Sequence, residues 1–206
     1  MTIDDLKIIK IIGTGIPIAG DNIDTDQITP ADALTEPTFD NAANYLFRDA
    51  RQKDTNHPMN DSRYQEASII FVGKNFGCGS SRETAPQAIK RYGIKVLIGE
   101  SFAAIFTGNC KALGMPAVTA PHEDIAYLTG LTQKEPDTVY TVNLETKTLN
   151  YGSSYVPIEI SEPTRIALMQ GSWNALNELK SNVDKINEVA RRMAYPAGFP
   201  PSSYNF

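Results

Sequence analysis

The stretch Ser68–Gly99, SIIFVGKNFGCGSSRETAPQAIKRYGIKVLIG, contains the pattern that decides the fold. Residues 68–72 and 95–98 are short, almost entirely apolar runs that end at a glycine, and they predict two buried strands. Residues 81–92 between them predict a helix that Gly93 ends, because glycine readily adopts the left-handed conformation found after helices. Two apolar strands joined by a helix predict parallel pairing with a right-handed crossover.

The same alternation continues on the C-terminal side. Ser101 is expected to cap a helix over 102–113, which Gly114 closes, and residues 115–118 start a third strand. Within the first helix, Pro86 predicts an irregular first turn or a later start of the regular helix, because proline lacks the backbone N–H. The pattern indicates an α/β protein.

The flanking segments predict a β-rich addition to this α/β core. The predicted elements are a strand at 8–12 that stops at Gly13, a loop over 13–30, short helices within 39–53, a polar irregular connection at 54–63, a hairpin of 138–142 with 146–149, a strand at 155–158, and helices at 163–169 and 173–193. We expect one domain over residues 1–206, with C-terminal helices at about 163–195 and an irregular tail at 196–206.

Charge and cysteine content exclude several classes of protein. The chain has 24 Asp and Glu residues against 19 Lys and Arg residues, a net charge of −5, and nucleic-acid binding through phosphate neutralisation needs a basic face instead. Cys78 and Cys110 are too few for a disulfide scaffold or for an iron–sulfur cluster. We expect a cytoplasmic protein without a membrane segment, because no apolar run approaches roughly 20 residues and the N-terminus is acidic.

The run Asn75–Glu83 is the strongest local signal for a binding site. It lies between a predicted strand and a predicted helix, and ligands bind at the carboxyl ends of parallel strands. Gly79 permits close backbone approach, and Ser80 and Glu83 have the spacing of a capping box. Arg82 adds a planar cation that can hold a carboxylate or phosphate with two hydrogen bonds. The run predicts an anion site, and the alternative is an ordinary capped helix with an exposed arginine.

The glycines do not match the common phosphate-binding motifs. Gly77 and Gly79 are not followed by the Gly-Lys of a phosphate loop, and Gly13-Thr14-Gly15 is followed by proline instead of a helix. A small carboxylate is therefore the predicted anion.

Other reactive side chains give weaker signals. Cys78 lies near a predicted helix start, but the two histidines, His57 and His122, belong to no recognisable catalytic motif. His122 fits the first turn of a helix after Pro121 better than a zinc site, so we assign no metal. Residues 21–26 have the composition of an Asx-turn cluster, and the functional alternative is that their carboxylates orient a neighbouring charge.

Several motifs in this order resemble the small subunits of 3-isopropylmalate dehydratases, members of the aconitase superfamily. The motifs are Gly20-Asp21-Asn22-Ile23-Asp24-Thr25-Asp26, the run Asn75 to Ala85, Gly99-Glu100-Ser101-Phe102 through Phe106, Gly108-Asn109-Cys110 and Leu113-Gly114-Met115-Pro116. The resemblance implies a swivelling β/β/α domain of the aconitase C-terminal-domain type, which closes over an active site shared with a large subunit. It also implies that the large subunit carries a [4Fe–4S] cluster, and that the pair interconverts 2-isopropylmalate and 3-isopropylmalate through 2-isopropylmaleate in leucine biosynthesis.

The resemblance assigns roles to four residues of the glycine-rich run. Ser80 would be the catalytic base, Ser81 would offer its backbone N–H to the substrate, and Arg82 would bind a carboxylate. Gly79 would lie beside them at the substrate. Because a serine hydroxyl is a poor base in water, the alkoxide would need stabilisation by amides and by the arginine.

The resemblance is less definite elsewhere. Asp24, Thr25 and Asp26 would lie near the active-site cleft, and the pocket for the variable side group is expected within 34–60. Thr84 stands where the family often has histidine. The alternatives are therefore a small subunit of a related hydro-lyase, of the homoaconitase, citraconate or methylmalate type, or a carboxylate-binding module without catalysis.

Overall fold

The strands at the centre of the molecule pair as the sequence predicts. The structure is a computed structural model that describes residues 4–174, 179–180 and 182–193. Strands β2 (Ile69–Val72) and β3 (Val96–Gly99), the two predicted from the quoted stretch, are parallel neighbours, and β4 (Ala117–Thr119) continues the sheet beside β3. Every residue of β2 and β3 is buried, because helices cover both faces of this part of the sheet.

Strand β1 (Lys10–Ile18) is longer than predicted and joins two halves of the sheet. Its N-terminal half pairs antiparallel with β5 (Val139–Asn143), and its C-terminal half pairs parallel with β2. The prediction of a strand end at Gly13 and of a loop from there onward is wrong for residues 13–18. A Cβ at Gly13 would overlap the Ser68 side chain, so this glycine permits close packing within the sheet instead of marking a turn.

The antiparallel half consists of the predicted β-rich addition. β5 forms a hairpin with β6 (Thr148–Tyr151), and β7 (Ser154–Pro157) pairs with β6. The described strands form one sheet in the order β4-β3-β2-β1-β5-β6-β7. The predicted hairpin and the predicted strand at 155–158 are confirmed.

Helices cover both faces of the parallel half. Their bounds are α3 (Thr84–Tyr92), α4 (Ala104–Ala112), α5 (His122–Lys134) and α6 (Glu162–Gln170). Side chains of α3 and α4 pack with Ile70, Val72 and Leu97 on one face of the sheet. Side chains of α5 pack with Phe71 and Ile98 on the other face. Each helix therefore crosses one face of the sheet and leads the chain to the start of the next parallel strand. The loops that follow the strands all lie at the carboxyl ends of those strands.

The starts of two helices test the predictions. α3 begins at Thr84, the later start that Pro86 predicts, and Pro86 then lies in the first turn, where helical N–H groups have no intrahelical partner. Its end at Gly93, with φ of 117°, is as predicted. Ser101 does not cap α4, whose N-cap is Ala103, because the Ser101 hydroxyl lies at the start of a loop and accepts a hydrogen bond from another loop.

The segment between β1 and β2 is built from short helical turns. They are α1 (Thr25–Ile28), α2 (Arg48–Lys53) and 3-10 helices at Ala31–Thr35, Ala42–Tyr45, Pro58–Asn60 and Ser62–Tyr64. The short helices predicted within 39–53 are confirmed. The connection predicted as polar and irregular at 54–63 is partly helical, and Met59 and Tyr64 at these turns are buried.

The C-terminal region forms a unit of its own. The chain divides into two compact units, Met1–Trp173 and Asn174–Phe206. In the second unit, α7 (Val183–Arg192) begins directly after Asn182, which lies in a turn. The prediction of one continuous helix over 173–193 is therefore wrong, because Trp173, Asn174 and Asn182 are not helical.

Two expectations concern the whole chain. The tail predicted at 196–206 lies outside the described residues, and a single domain over 1–206 stays a prediction. Among the helices that the structure describes, none is long and apolar enough to cross a membrane.

Candidate functional site

The glycine-rich run lies against the segment that follows β1. Backbone hydrogen bonds join the two segments: the N–H of Gly77 donates to the carbonyl of Ile23 at 2.8 Å, and the N–H of Thr25 donates to the carbonyl of Cys78 at 3.0 Å. We call this ladder between residues 22–25 and 74–80 the loop clasp. The sheet produces it, because β1 and β2 are parallel neighbours and both loops leave from the same edge.

Two asparagines at the start of the loop clasp are in the left-handed conformation. Asn22 and Asn75 both have φ of 55°, and the Asn75 side-chain amide donates to the Asn22 side-chain oxygen at 2.9 Å. The Asn75 N–H donates to the Ser101 hydroxyl at 2.8 Å. Asparagine adopts this conformation more easily than most residues, since its side chain bonds locally. These contacts fix both turns that lead into the site.

Asp24 caps α1, so one of the carboxylates within residues 21–26 has a structural role. Its side chain accepts from the Gln27 N–H at 2.8 Å, and its own N–H donates to the Gln27 side chain at 2.9 Å, which is a complete capping box. The capping box predicted for Ser80 and Glu83 does not form. Glu83 is itself the N-cap of α3 and makes no side-chain capping bond, so Ser80 lies in the loop before the helix.

Ser80 and Ser81 are exposed at the wall of a pocket of about 230 Å³. Thr25, Gly77, Gly79 and Arg82 also line this pocket. Within the described residues, the backbone N–H groups of Gly79, Ser80 and Ser81 donate to no acceptor. Such free donors beside a cation form an electropositive concavity, which is suited to an anion.

Arg82 is the charged group of the pocket. Its side chain is only 18% exposed and forms an ion pair with the Asp26 carboxylate, whose side chain is 54% exposed. The buried Nη1 atom of Arg82 is the one that contacts the Asp26 carboxylate, although this contact is not a well-aligned hydrogen bond within the described residues. A buried guanidinium needs acceptors for all of its donors, and a carboxylate ligand could supply them.

Part of the pocket lining is apolar and was not predicted. It is formed by Ala103, Ala104, Ile105 and Phe106 at the start of α4. Phe106 packs edge-to-face on Phe76, with ring centroids 5.5 Å apart, so this wall is anchored to the glycine-rich run. The pocket therefore combines a cationic side with an apolar side.

Residues 34–60 line a separate cavity of about 510 Å³. Phe47, Ala50, Lys53 and His57 contribute to it, together with Asp24 and Asp26 from the acidic segment. Burial lowers the pKa of His57, which favours its neutral form. The prediction that 34–60 holds the pocket for the variable side group stays a prediction.

The remaining candidates take structural positions. The Cys78 thiol donates to the carbonyl of Asn22 at 3.4 Å and is therefore part of the loop clasp. His122 bonds to Glu100 at 2.7 Å, and this carboxylate raises the pKa of His122. Thr84, at the position where the family often has histidine, begins α3 and its hydroxyl lies 3.5 Å from that of Thr29.

The described residues do not fit an iron–sulfur cluster. They contain no group of three or more His, Cys, Asp or Glu side chains that could hold a metal. Cys110 is fully buried, and burial strongly raises the pKa of its thiol, which disfavours the thiolate that binds iron.

Comparisons with known proteins agree with this architecture. Residues 7–123 match the family described as the aconitase C-terminal domain. The 3-isopropylmalate dehydratase small subunits of Synechocystis sp. and Thermus thermophilus are 44% and 40% identical over 90% and 92% of this chain, and the alignments cover 94% and 96% of those proteins. The crystal structure of 3-isopropylmalate dehydratase from Methanocaldococcus jannaschii matches 87% of this chain and 98% of that one, with a TM-score of 0.65 and 27% identity.

The contact between Gly77 and Phe106 gives a test of the loop geometry. Gly77 has φ of +74°, and a Cβ there would overlap the Phe106 ring, so Gly77→Ala combines backbone strain with overpacking. We expect it to lower the free energy of unfolding by roughly 2–5 kcal/mol in a denaturant titration. Gly93→Ala is the control, because it has positive φ but meets no atom within 4 Å, and strain alone is worth about 1–2 kcal/mol. Equal losses in the two variants would show that the ring does not confine the loop.

Proposed function

Because this chain belongs to the family of 3-isopropylmalate dehydratase small subunits, we propose that it works with a large subunit to interconvert 2-isopropylmalate and 3-isopropylmalate through 2-isopropylmaleate. The observation that carries the proposal is the pocket in which free amides, an exposed serine and a half-buried arginine meet. Such a pocket suits a dicarboxylate substrate. The proposed interconversion is a step of leucine biosynthesis.

Arg82 binds one substrate carboxylate in this proposal. The planar guanidinium offers five N–H donors, more than its Nη1 contact with Asp26 uses. Asp26 holds the arginine from the exposed side, which restricts its rotation. The substrate therefore meets a cation that is already oriented, and little ordering is needed on binding.

Ser80 acts as the base. The proton to be removed lies on a carbon next to a carboxylate, and the carbon beside it carries the hydroxyl that leaves. Ser80 takes the proton, and the electron pair of the broken C–H bond forms the C=C bond of 2-isopropylmaleate as the hydroxyl departs. In the reverse direction, the Ser80 hydroxyl returns its proton to one carbon as hydroxide adds to the other, and the two together make up one water.

The free amides of the loop make this chemistry feasible. The Ser80 alkoxide is negatively charged before it takes the proton, and during the transfer negative charge develops on the substrate beside its carboxylate. Each oriented donor at the developing charge is worth about 10²–10³ in rate. The N–H of Ser81 is one such donor, and Gly79 supplies another beside it. Water exclusion by a partner would strengthen both interactions.

The partner in this proposal is a large subunit that carries the [4Fe–4S] cluster. The two cysteines of this chain are too few to hold that cluster, and the described residues form no metal site. The pocket opens to solvent at Ser80 and Ser81, so a second protein can complete it there. Both cysteines are free thiols, which is in keeping with our proposal of a cytoplasmic location.

Reconstitution tests the function directly. We expect this chain, expressed with its large subunit under anaerobic conditions, to hydrate 2-isopropylmaleate, with turnover followed by the loss of ultraviolet absorbance. Each chain alone serves as a control and should be inactive. If the assembled pair hydrates citraconate or homoaconitate and leaves 2-isopropylmaleate unchanged, the substrate is wrongly assigned.

Removal of the Ser80 hydroxyl tests the base. We expect Ser80→Ala to lower kcat of the assembled pair by about 10²–10⁴ and to leave subunit assembly intact, because general base catalysis contributes about that factor. Ser81→Ala is the matched variant and should lose far less, since it keeps the backbone N–H. Similar losses in both variants would contradict the role of Ser80.

Replacement of Arg82 tests the carboxylate site. Arg82→Lys keeps the charge and loses the paired donors, and a charge-assisted hydrogen bond is worth about 1.5–3 kcal/mol. We expect KM for 2-isopropylmalate to rise roughly 10- to 100-fold. Arg63→Lys is the control, because Arg63 is an exposed arginine that pairs with Asp61 away from the pocket. An unchanged kcat/KM in Arg82→Lys would show that Arg82 does not bind the substrate carboxylate.

A further inference from the structure

We propose that Thr25 is a positioning residue whose hydroxyl fixes the orientation of the Ser80–Ser81 peptide. The proposal rests on the proposed function, because that peptide carries the Ser81 N–H assigned to the substrate. The Thr25 Oγ1 atom donates to the Ser80 carbonyl at 3.1 Å. This is the one side-chain hydrogen bond to the Ser80–Ser81 peptide within the described residues.

Thr25 is held too firmly to follow the loop. Its side chain is 2% exposed, its N–H donates to the Cys78 carbonyl at 3.0 Å, and its carbonyl accepts from the Thr29 N–H at 3.0 Å. Asp24 caps the same helical turn, which further fixes the backbone at this position. The hydroxyl therefore occupies a set position, and the exposed loop is fixed relative to it.

The geometry of the peptide bond transmits this contact to the Ser81 amide. The Ser80–Ser81 peptide is trans and planar, so its carbonyl and its N–H point in opposite directions. When the Ser80 carbonyl points at Thr25, the Ser81 N–H must point away from Thr25. If the carbonyl contact is lost, the peptide can rotate about its flanking bonds, and the N–H loses its fixed direction.

Residues 24–26 have a combined role in the site. Asp24 holds the helical turn, Thr25 orients the peptide, and Asp26 pairs with Arg82. Three consecutive residues thus set the position of both groups that bind the substrate in the proposal. Thr25 acts through Ser80 and Ser81 and has no contact with substrate of its own in this assignment.

Three variants of the assembled enzyme separate the hydroxyl from the volume of the side chain. Thr25→Val keeps the shape and removes the hydroxyl, whereas Thr25→Ser keeps the hydroxyl. Thr29→Val is the matched control, because Thr29 is a threonine equally buried one turn later whose hydroxyl bonds to the Thr25 carbonyl and the Thr84 hydroxyl instead of the Ser80 carbonyl. Thr25→Ala also removes the hydroxyl and introduces no β-branched side chain. It replaces Thr25→Val if that variant does not fold.

We expect kcat to fall when the Thr25 hydroxyl is removed and to be kept when the hydroxyl is present. We expect Thr25→Val to lower kcat about 10- to 100-fold, because a misplaced Ser81 N–H reduces the rate by about that factor. The change in KM should be much smaller, because the Arg82 contact with the substrate remains. Thr25→Ser should restore kcat to within about threefold of the wild type, and Thr29→Val should leave it unchanged. A kcat in Thr25→Val equal to that in Thr25→Ser would overturn the proposal.

A readout without activity separates this inference from the proposed function. In the ¹⁵N-labelled chain, the Ser81 amide resonance should shift or broaden in Thr25→Val and keep its position in Thr25→Ser and Thr29→Val. If the wild-type pair does not hydrate 2-isopropylmaleate, the proposed function fails, and this resonance still tests the contact. An unmoved Ser81 resonance in Thr25→Val would overturn the positioning role.

Discussion

The loop clasp is the constraint on which the rest of the site depends. It exists because β1 and β2 are parallel neighbours, so that the two loops following them begin at the same edge of the sheet. Each loop alone is rich in glycine, asparagine and aspartate and would be mobile. Hydrogen-bonded to each other and packed on Phe106 of α4, they hold free amide donors in fixed directions without a helix of their own.

The electrostatics of the pocket are opposite to those of the whole chain. The protein carries a net charge of −5, yet the pocket places Arg82 beside backbone N–H donors. Asp26 compensates the arginine in part and remains more than half exposed itself. An anionic ligand would therefore be attracted locally, whereas the overall negative charge disfavours nonspecific binding of polyanions.

Much of the architecture followed from hydrophobic pattern and glycine placement. The buried strands, the helix end at Gly93 and the loop over 75–83 were all predictable, because each depends on local sequence. That this loop binds the substrate stays a prediction. The capping box at Ser80 was predicted wrongly, since spacing alone does not show that the helix starts only at Thr84.

The other misses have a different physical origin. Gly13 resembled a strand end, and only the packed Ser68 side chain shows why glycine is needed within β1. The apolar wall at 103–106 has the composition of an ordinary buried helix start, and which face meets the pocket depends on tertiary packing. The family resemblance placed Thr25 near the cleft, but its contact with Ser80 was not predictable, because the two residues are 55 positions apart.

The lack of a metal-ligand group in the described residues has a consequence for how the enzyme would be maintained. The sheet is stabilised by two apolar clusters and its hydrogen-bond ladders, so folding of this part of the chain does not draw on iron. Oxygen damage or iron starvation would then strike only the proposed partner. The two apolar clusters would keep this part of the chain folded, so that it could assemble with a newly made copy of the proposed partner.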